Sequence, residues 1–131
     1  MIDWENLNFI PEEMECRCGC GVLGIDPEFM TVLQEIRTLY GRVMNVSSGY
    51  RCAAHPAERK KVDRGGKPGS HYTGCAADIR CAGSDALMLL RVALMHEKIT
   101  GVGVKQTGPH DHRFIHLDTV TTPPRPNIWS Y

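Results

Sequence analysis

The sequence predicts an α+β fold, a small and largely antiparallel sheet with flanking helices. Three observations carry that expectation. Two segments repeat apolar residues at helical spacing, four short segments of strand character lie around them in irregular order, and the last two of these are separated only by a polar turn. A short turn joins antiparallel neighbours, whereas parallel ones need a long crossover. At 131 residues the chain is expected to form one domain over 1–131, a size at which a core buries about two-thirds of the unfolded surface.

The elements follow in order. Asp26-Pro27 reads as a helix start, with an acceptor side chain at the cap and proline in the first turn, where its missing donor costs nothing. Phe29, Val32, Leu33, Ile36, Leu39 and Tyr40 then recur at helical spacing until Gly41. Val43 to Ser48 reads as a short strand ended by Ser47-Ser48-Gly49. From Cys52 to Gly69 the chain is charged and rich in glycine and proline, with turn signals at Gly65-Gly66 and Pro68-Gly69. It is expected to be a surface excursion with one helical turn near Ala57 to Lys61 and a solvated basic run. Ser84 is expected to cap a second helix carrying Leu87, Leu90, Arg91 and Leu94. Gly101 to Lys105 and Phe114 to Thr119 read as strands joined by the turn Thr107 to Arg113. The proline-containing tail ends in Trp129-Ser130-Tyr131, expected to pack as a clamp over the body.

Composition excludes several classes. Fifteen basic and fifteen acidic residues cancel, so the net positive charge that holds nucleic acid or an anionic membrane is missing. The longest apolar stretches are far shorter than the ~20 residues of a membrane span. Met1 to Phe9 carries Asp3, Trp4 and Glu5 where a secretory signal has basic residues and an apolar core, so no export signal is expected. A monomer is expected. Six cysteines, three of them in Cys16-Arg17-Cys18-Gly19-Cys20, leave disulfides and free thiols both open. That run plus Cys52 could hold a structural metal, but its one-residue gaps match poorly the wider ligand spacing usual in zinc sites.

The segment Gly69 to Ile79 carries the chemistry. Gly74 is expected to turn the chain from a loop holding His71 into a strand on which Ala76, Asp78 and Arg80 share a face. Phe114, His116 and Asp118 share a face of a later strand. If the two strands are neighbours, Asp78 and His116 converge below His71. Two imidazoles and a carboxylate form a zinc set of the catalytic kind, leaving a fourth position for a water whose pKa falls toward ~7. Singly, each histidine would read as an ordinary loop or core residue. Ferrous iron fits such a set less well, because no histidine follows Asp118. A cysteine hydrolase built on Cys75 is a weaker alternative still.

Ser70-His71-(x6)-Asp78 together with Phe114-Ile115-His116-Leu117-Asp118 resembles the zinc-binding pattern of the M15 peptidases, the D-Ala-D-Ala carboxypeptidase family that shares its fold with the Hedgehog signalling domain. Ser48-Gly49-Tyr50-Arg51 resembles that family's SGYR segment. The Cys16 to Cys20 run resembles the CxCGCG opening of short, often phage-encoded members. The resemblance implies a Hedgehog/DD-peptidase-like fold, zinc as cofactor, and His71, Asp78 and His116 as its ligands. It implies that Arg51 grips substrate, for which a planar guanidinium suits a carboxylate or polarised carbonyl. Ser70 is expected to bond backbone or substrate, and Asp118 to orient a ligand. The general base that relatives place shortly before the last ligand is missing, since Arg113 stands there, and Asp111, then His112, is the expected substitute. The implied function is cleavage of peptidoglycan stem peptides, as a D,D-carboxypeptidase or an endopeptidase, in a phage or prophage product released by a holin or carried in a virion. The competing reading is a wall-binding or virion-structural module that keeps the fold without turnover.

Overall fold

The computed structural model describes residues 1–67 and 69–131, so the turn expected at Pro68-Gly69 lies partly outside the described residues. Among these, four helices, α1 (Pro11–Met14), α2 (Pro27–Tyr40), α3 (Pro56–Asp63) and α4 (Ser84–Met95), accompany five strands, β1 (Asn45–Ser48), β2 (Ala76–Arg80), β3 (Gly101–Lys105), β4 (Phe114–Asp118) and β5 (Asn127–Ser130). The strands form one sheet in the order β1-β2-β4-β3-β5. All pairs are antiparallel except β3 with β5, which is parallel.

Local chemistry explains the main helix. The Asp26 carboxylate accepts the Phe29 N–H at 2.9 Å, Pro27 opens the first turn, and Gly41 closes the helix in the left-handed region at φ 69°. Its face of Phe29, Met30, Val32, Leu33 and Ile36 is buried, while Leu39, expected on that face, is exposed. β1 begins at Asn45 rather than Val43, because its pairing with β2 starts at Asn45 opposite Arg80; Met44, and not Val43, turns inward. The helical turn expected near Ala57 is two turns long, started by His55, whose Nδ1 accepts the Ala57 N–H at 3.1 Å.

α4 corrects two expectations. Its cap residue is Gly83, with no side-chain cap bond, so Ser84 is the first helical residue. Its buried face is Ala86, Leu89 and Ala93, whereas Leu87 and Leu94 are exposed. The small alanines let the helix lie close against α2 and β4, and a leucine at either position would hold it off.

The sheet has two chemically distinct faces, as the two-residue period of a strand demands. Ala77, Ile79, Val102, Ile115 and Leu117 are buried in the core with the α2 and α4 side chains. On the opposite face, cross-strand neighbours form a row: Asp78 lies opposite His116, His116 opposite Gly103, and Gly103 opposite Trp129. The next row places Ala76, Asp118 and Gly101 side by side. The tail is therefore not simply a clamp. It adds a strand to β3, which brings Trp129 into the polar row.

Candidate metal centre

Three elements deliver the three side chains. Asp78 and His116 come from the paired central strands β2 and β4. His71 sits on a single 3-10 turn, Ser70–Thr73, which Gly74 ends at φ 81°. A side chain at Gly74 would also collide with the Gly24 carbonyl, so glycine is required there for two reasons. All three residues are buried, at 4% exposure for His71, 5% for Asp78 and 2% for His116.

Asp78 Oδ1 lies 2.9 Å from His116 Nδ1 and 3.3 Å from His71 Nε2. Ligand distances of about 2.0–2.2 Å separate neighbouring donors around a tetrahedral zinc by about 3.4 Å, and one donor atom from each of the three residues lies within 4.8 Å of the others. The far nitrogen of each imidazole is already committed. His71 Nδ1–H donates to the Gly49 carbonyl at 2.7 Å, and His116 Nε2–H donates to Asp118 Oδ2 at 2.7 Å. Both rings are thus held with the inner nitrogen facing Asp78, which is the outer-sphere arrangement metal-binding histidines use. The donor set fits zinc.

The electrostatics also favour a cation here. Burial pushes the Asp78 carboxyl up, but hydrogen bonds from His116 and His71 outweigh it and hold the group well below the carboxylate range. Burial opposes charge on His116, yet its bonds to Asp118 and Asp78 raise it above an ordinary histidine. Asp118, fully buried, is held low against burial by His116 and Arg125, which grips it through Nε to Oδ1 at 3.0 Å and Nη2 to Oδ2 at 2.8 Å.

The glycines of β3 make room for these partners. A Cβ at Gly101 would overlap the Asp118 carboxylate, and one at Gly103 would come within 2.6 Å of Trp129 Nε1. Trp129 then lies 5.0 Å, centroid to centroid, from the His116 ring, and the Arg125 guanidinium lies over the Trp129 ring at 4.8 Å.

A cleft of about 360 Å³ opens over this cluster, lined by Arg51, Ser70, Phe114 and Tyr131 among others. Arg51 is fixed by Ser48 Oγ at 2.9 Å, Asp78 Oδ2 at 3.3 Å and Glu58 Oε1 at 3.6 Å. Ser70 Oγ lies 3.5 Å from His116 Nε2, whose proton is already given to Asp118. Asp111 and His112 are not brought to the cluster. They sit on an exposed 3-10 turn, His110–His112, where the Asp111 side chain is 94% exposed and its partner is His110 at 3.6 Å. Cys75 lines a different cleft, beside Asp26 and Thr119.

Sequence reading passed over Arg125 and Glu58. Arg125 carries no motif, and only the return of the tail along β3 places it. Glu58, inside a basic run expected to be solvated, is fully buried, accepting the Gly69 N–H at 2.6 Å and pairing with Lys61 and Arg51. An acid within a cluster of bases was the available signal.

No helix among the described residues is long and apolar enough to cross a membrane. Comparison with curated proteins finds no match. The sequence model of the peptidase M15 family, however, matches residues 7–118, which include all three clustered residues and Arg51, and this chain belongs to that family.

Proposed function

We propose that the protein is a zinc-dependent peptidase of peptidoglycan stem peptides, cutting as a D,D-carboxypeptidase or an endopeptidase. M15 peptidases are zinc-dependent in general. The observation that carries the reading is the buried His71, Asp78 and His116 cluster at the floor of a cleft whose wall holds an immobilised arginine. Zinc held by these residues supplies a Lewis acid and a source of hydroxide at neutral pH.

The chain's own residues do the rest. Gly49 and Asp118 hold the outer N–H of both imidazoles, so that a metal displacing the inner protons bonded to Asp78 would meet a lone pair from each ring. Arg51, anchored on three sides, places a fixed positive charge where a substrate carboxylate or a developing oxyanion would lie. Ser70 offers a hydroxyl at the cleft floor, and Phe114, Trp129 and Tyr131 supply apolar walls for small side chains such as alanine methyls. Reaching the wall as a phage or prophage product is part of this proposal.

One observation favours the second reading, a wall-binding or virion module without turnover. Among the described residues lining the cleft, Asp78 is the sole carboxylate, and it faces the two imidazoles. The proton-transfer role proposed for Asp111 or His112 must be played from an exposed turn. Incubating zinc-loaded protein with purified peptidoglycan and assaying new amino groups decides the matter. Release that disappears in His116→Ala supports the peptidase. Co-sedimentation with the wall and no release supports the module. Full rate in Asp111→Asn together with loss in His112→Ala assigns the proton transfer to the histidine.

A further inference from the structure

The other cluster of metal-ligating side chains lies away from the histidines. Cys16, Cys18 and Cys20 come from the loop after α1, and Cys52 follows Arg51 beyond β1. Their Sγ atoms converge: Cys52 Sγ lies 3.7 Å from that of Cys16, 3.5 Å from that of Cys18 and 3.8 Å from that of Cys20, and all four lie within 4.8 Å of one another. We propose that these four cysteines form a second, structural zinc site, independent of the histidine cluster and of the function proposed for it.

The geometry favours a shared ion over a disulfide. Zinc–sulfur distances of about 2.3 Å place neighbouring sulfurs about 3.8 Å apart at the corners of a tetrahedron, and the three Cys52 separations match that edge. A disulfide needs about 2.05 Å and joins only two sulfurs, whereas here one sulfur stands equally near three others and all six cysteines are free thiols.

The one-residue gaps that looked wrong for zinc in the sequence are reconciled by glycine. Gly19 at φ 102° and Gly21 at φ 66° adopt left-handed backbone, with no neighbouring atom within 4 Å of a Cβ at either position, so the requirement is conformational. They curl the run until Cys18 and Cys20 face the same point as Cys16. The backbone supports the sulfurs as an outer sphere would. Cys52 N–H donates to Cys16 Sγ at 3.3 Å, Val22 N–H donates to Cys20 Sγ at 3.4 Å, and the Cys16 N–H to Val22 carbonyl bond of 2.8 Å closes the loop. Four protein donors leave no open position, the mark of a structural site. Such an ion would pin the N-terminal loop to the residue next to Arg51.

Metal counting on three proteins tests the proposal. Wild type is expected to carry about two zinc ions per chain, the His71→Ala/His116→Ala variant about one, and Cys18→Ser/Cys20→Ser about one. Cobalt loaded into the histidine-deficient variant should show thiolate-to-metal charge-transfer absorption that the cysteine variant lacks. If wild type holds only a single zinc, its persistence in the histidine-deficient variant supports this site and counts against the histidine centre. One zinc that is lost there and kept in the cysteine variant overturns this proposal. So does a native disulfide from Cys52 to any of the other three. If the cysteine variant does not fold, alkylation of wild type decides: four thiols that react only after a chelator is added support the site, and four that react equally without it overturn it.

Discussion

At the scale of single residues, His116 shows how orientation is controlled from outside the cluster. Its inner nitrogen faces Asp78 because Asp118 holds the outer one, and Asp118 stays ionised in a buried place because His116 and Arg125 both bond its oxygens. Asp118→Asn keeps an acceptor of the same shape but removes the charge. Zinc affinity is expected to fall about 10–100-fold, measurable by competition with a chromogenic chelator. Arg51→Lys keeps the charge but loses the fork that spans Ser48, Asp78 and Glu58. Charged hydrogen bonds of about 1.5–3 kcal/mol imply a fall in kcat/KM of about 10–100-fold, with zinc content unchanged by metal analysis.

At the scale of elements, α4 and β3 make opposite use of small residues. In α4, alanines set the distance to the sheet and Leu89 fills the core, while Leu87 faces water. Leu89→Ala is expected to cost about 2–5 kcal/mol, as a buried large-to-small change does. Leu87→Ala should change stability by no more than about 0.5 kcal/mol, the usual range for an exposed site. Urea denaturation of both variants checks the helix's orientation. In β3, the glycines leave space for side chains of neighbouring strands. Gly101→Ala would drive the Asp118 carboxylate from its place, so reduced zinc affinity is expected with a stability loss of about 1–3 kcal/mol from overpacking.

At the scale of the whole molecule, Glu58 ties α3 and the loop that follows it to the site wall, through the Gly69 N–H, Lys61 and Arg51. Burial pushes its carboxyl up, but the Gly69 N–H and the two cations outweigh this and hold it below the usual value. A carboxyl with a depressed folded pKa stabilises the fold at pH above its unfolded value of about 4.3, and that stability disappears as pH falls through the folded value. Glu58→Gln should therefore cost about 1–3 kcal/mol at neutral pH by weakening the bonds to a buried partner. The gap between wild type and variant should close below pH ~4, as read by denaturant melts across pH.

Much of this molecule was legible in the chain because it depends on short-range chemistry. The cap and glycine stop of α2, the strand–turn–strand of β3 and β4, and the period-two placement of Asp78, His116 and Asp118 all follow from neighbours within a few residues. His71, Asp78, His116 and Arg51 could be named because their spacing repeats a family's, and the fold does bring them together. What only the tertiary structure decided involves partners far apart in sequence. The inward face of α4 depended on how closely it could approach the sheet. The burial of Glu58 depended on Arg51 and Gly69, and the pairing of β5 with β3 brought Arg125 and Trp129 to the site. The four-sulfur cluster belongs with these, because left-handed glycines curl a run whose linear spacing argued against a shared ion, and Cys52 arrives from more than thirty residues away. Linear spacing reports which side chains share a face, but a meeting between distant segments is set by backbone path and packing, which no local pattern encodes.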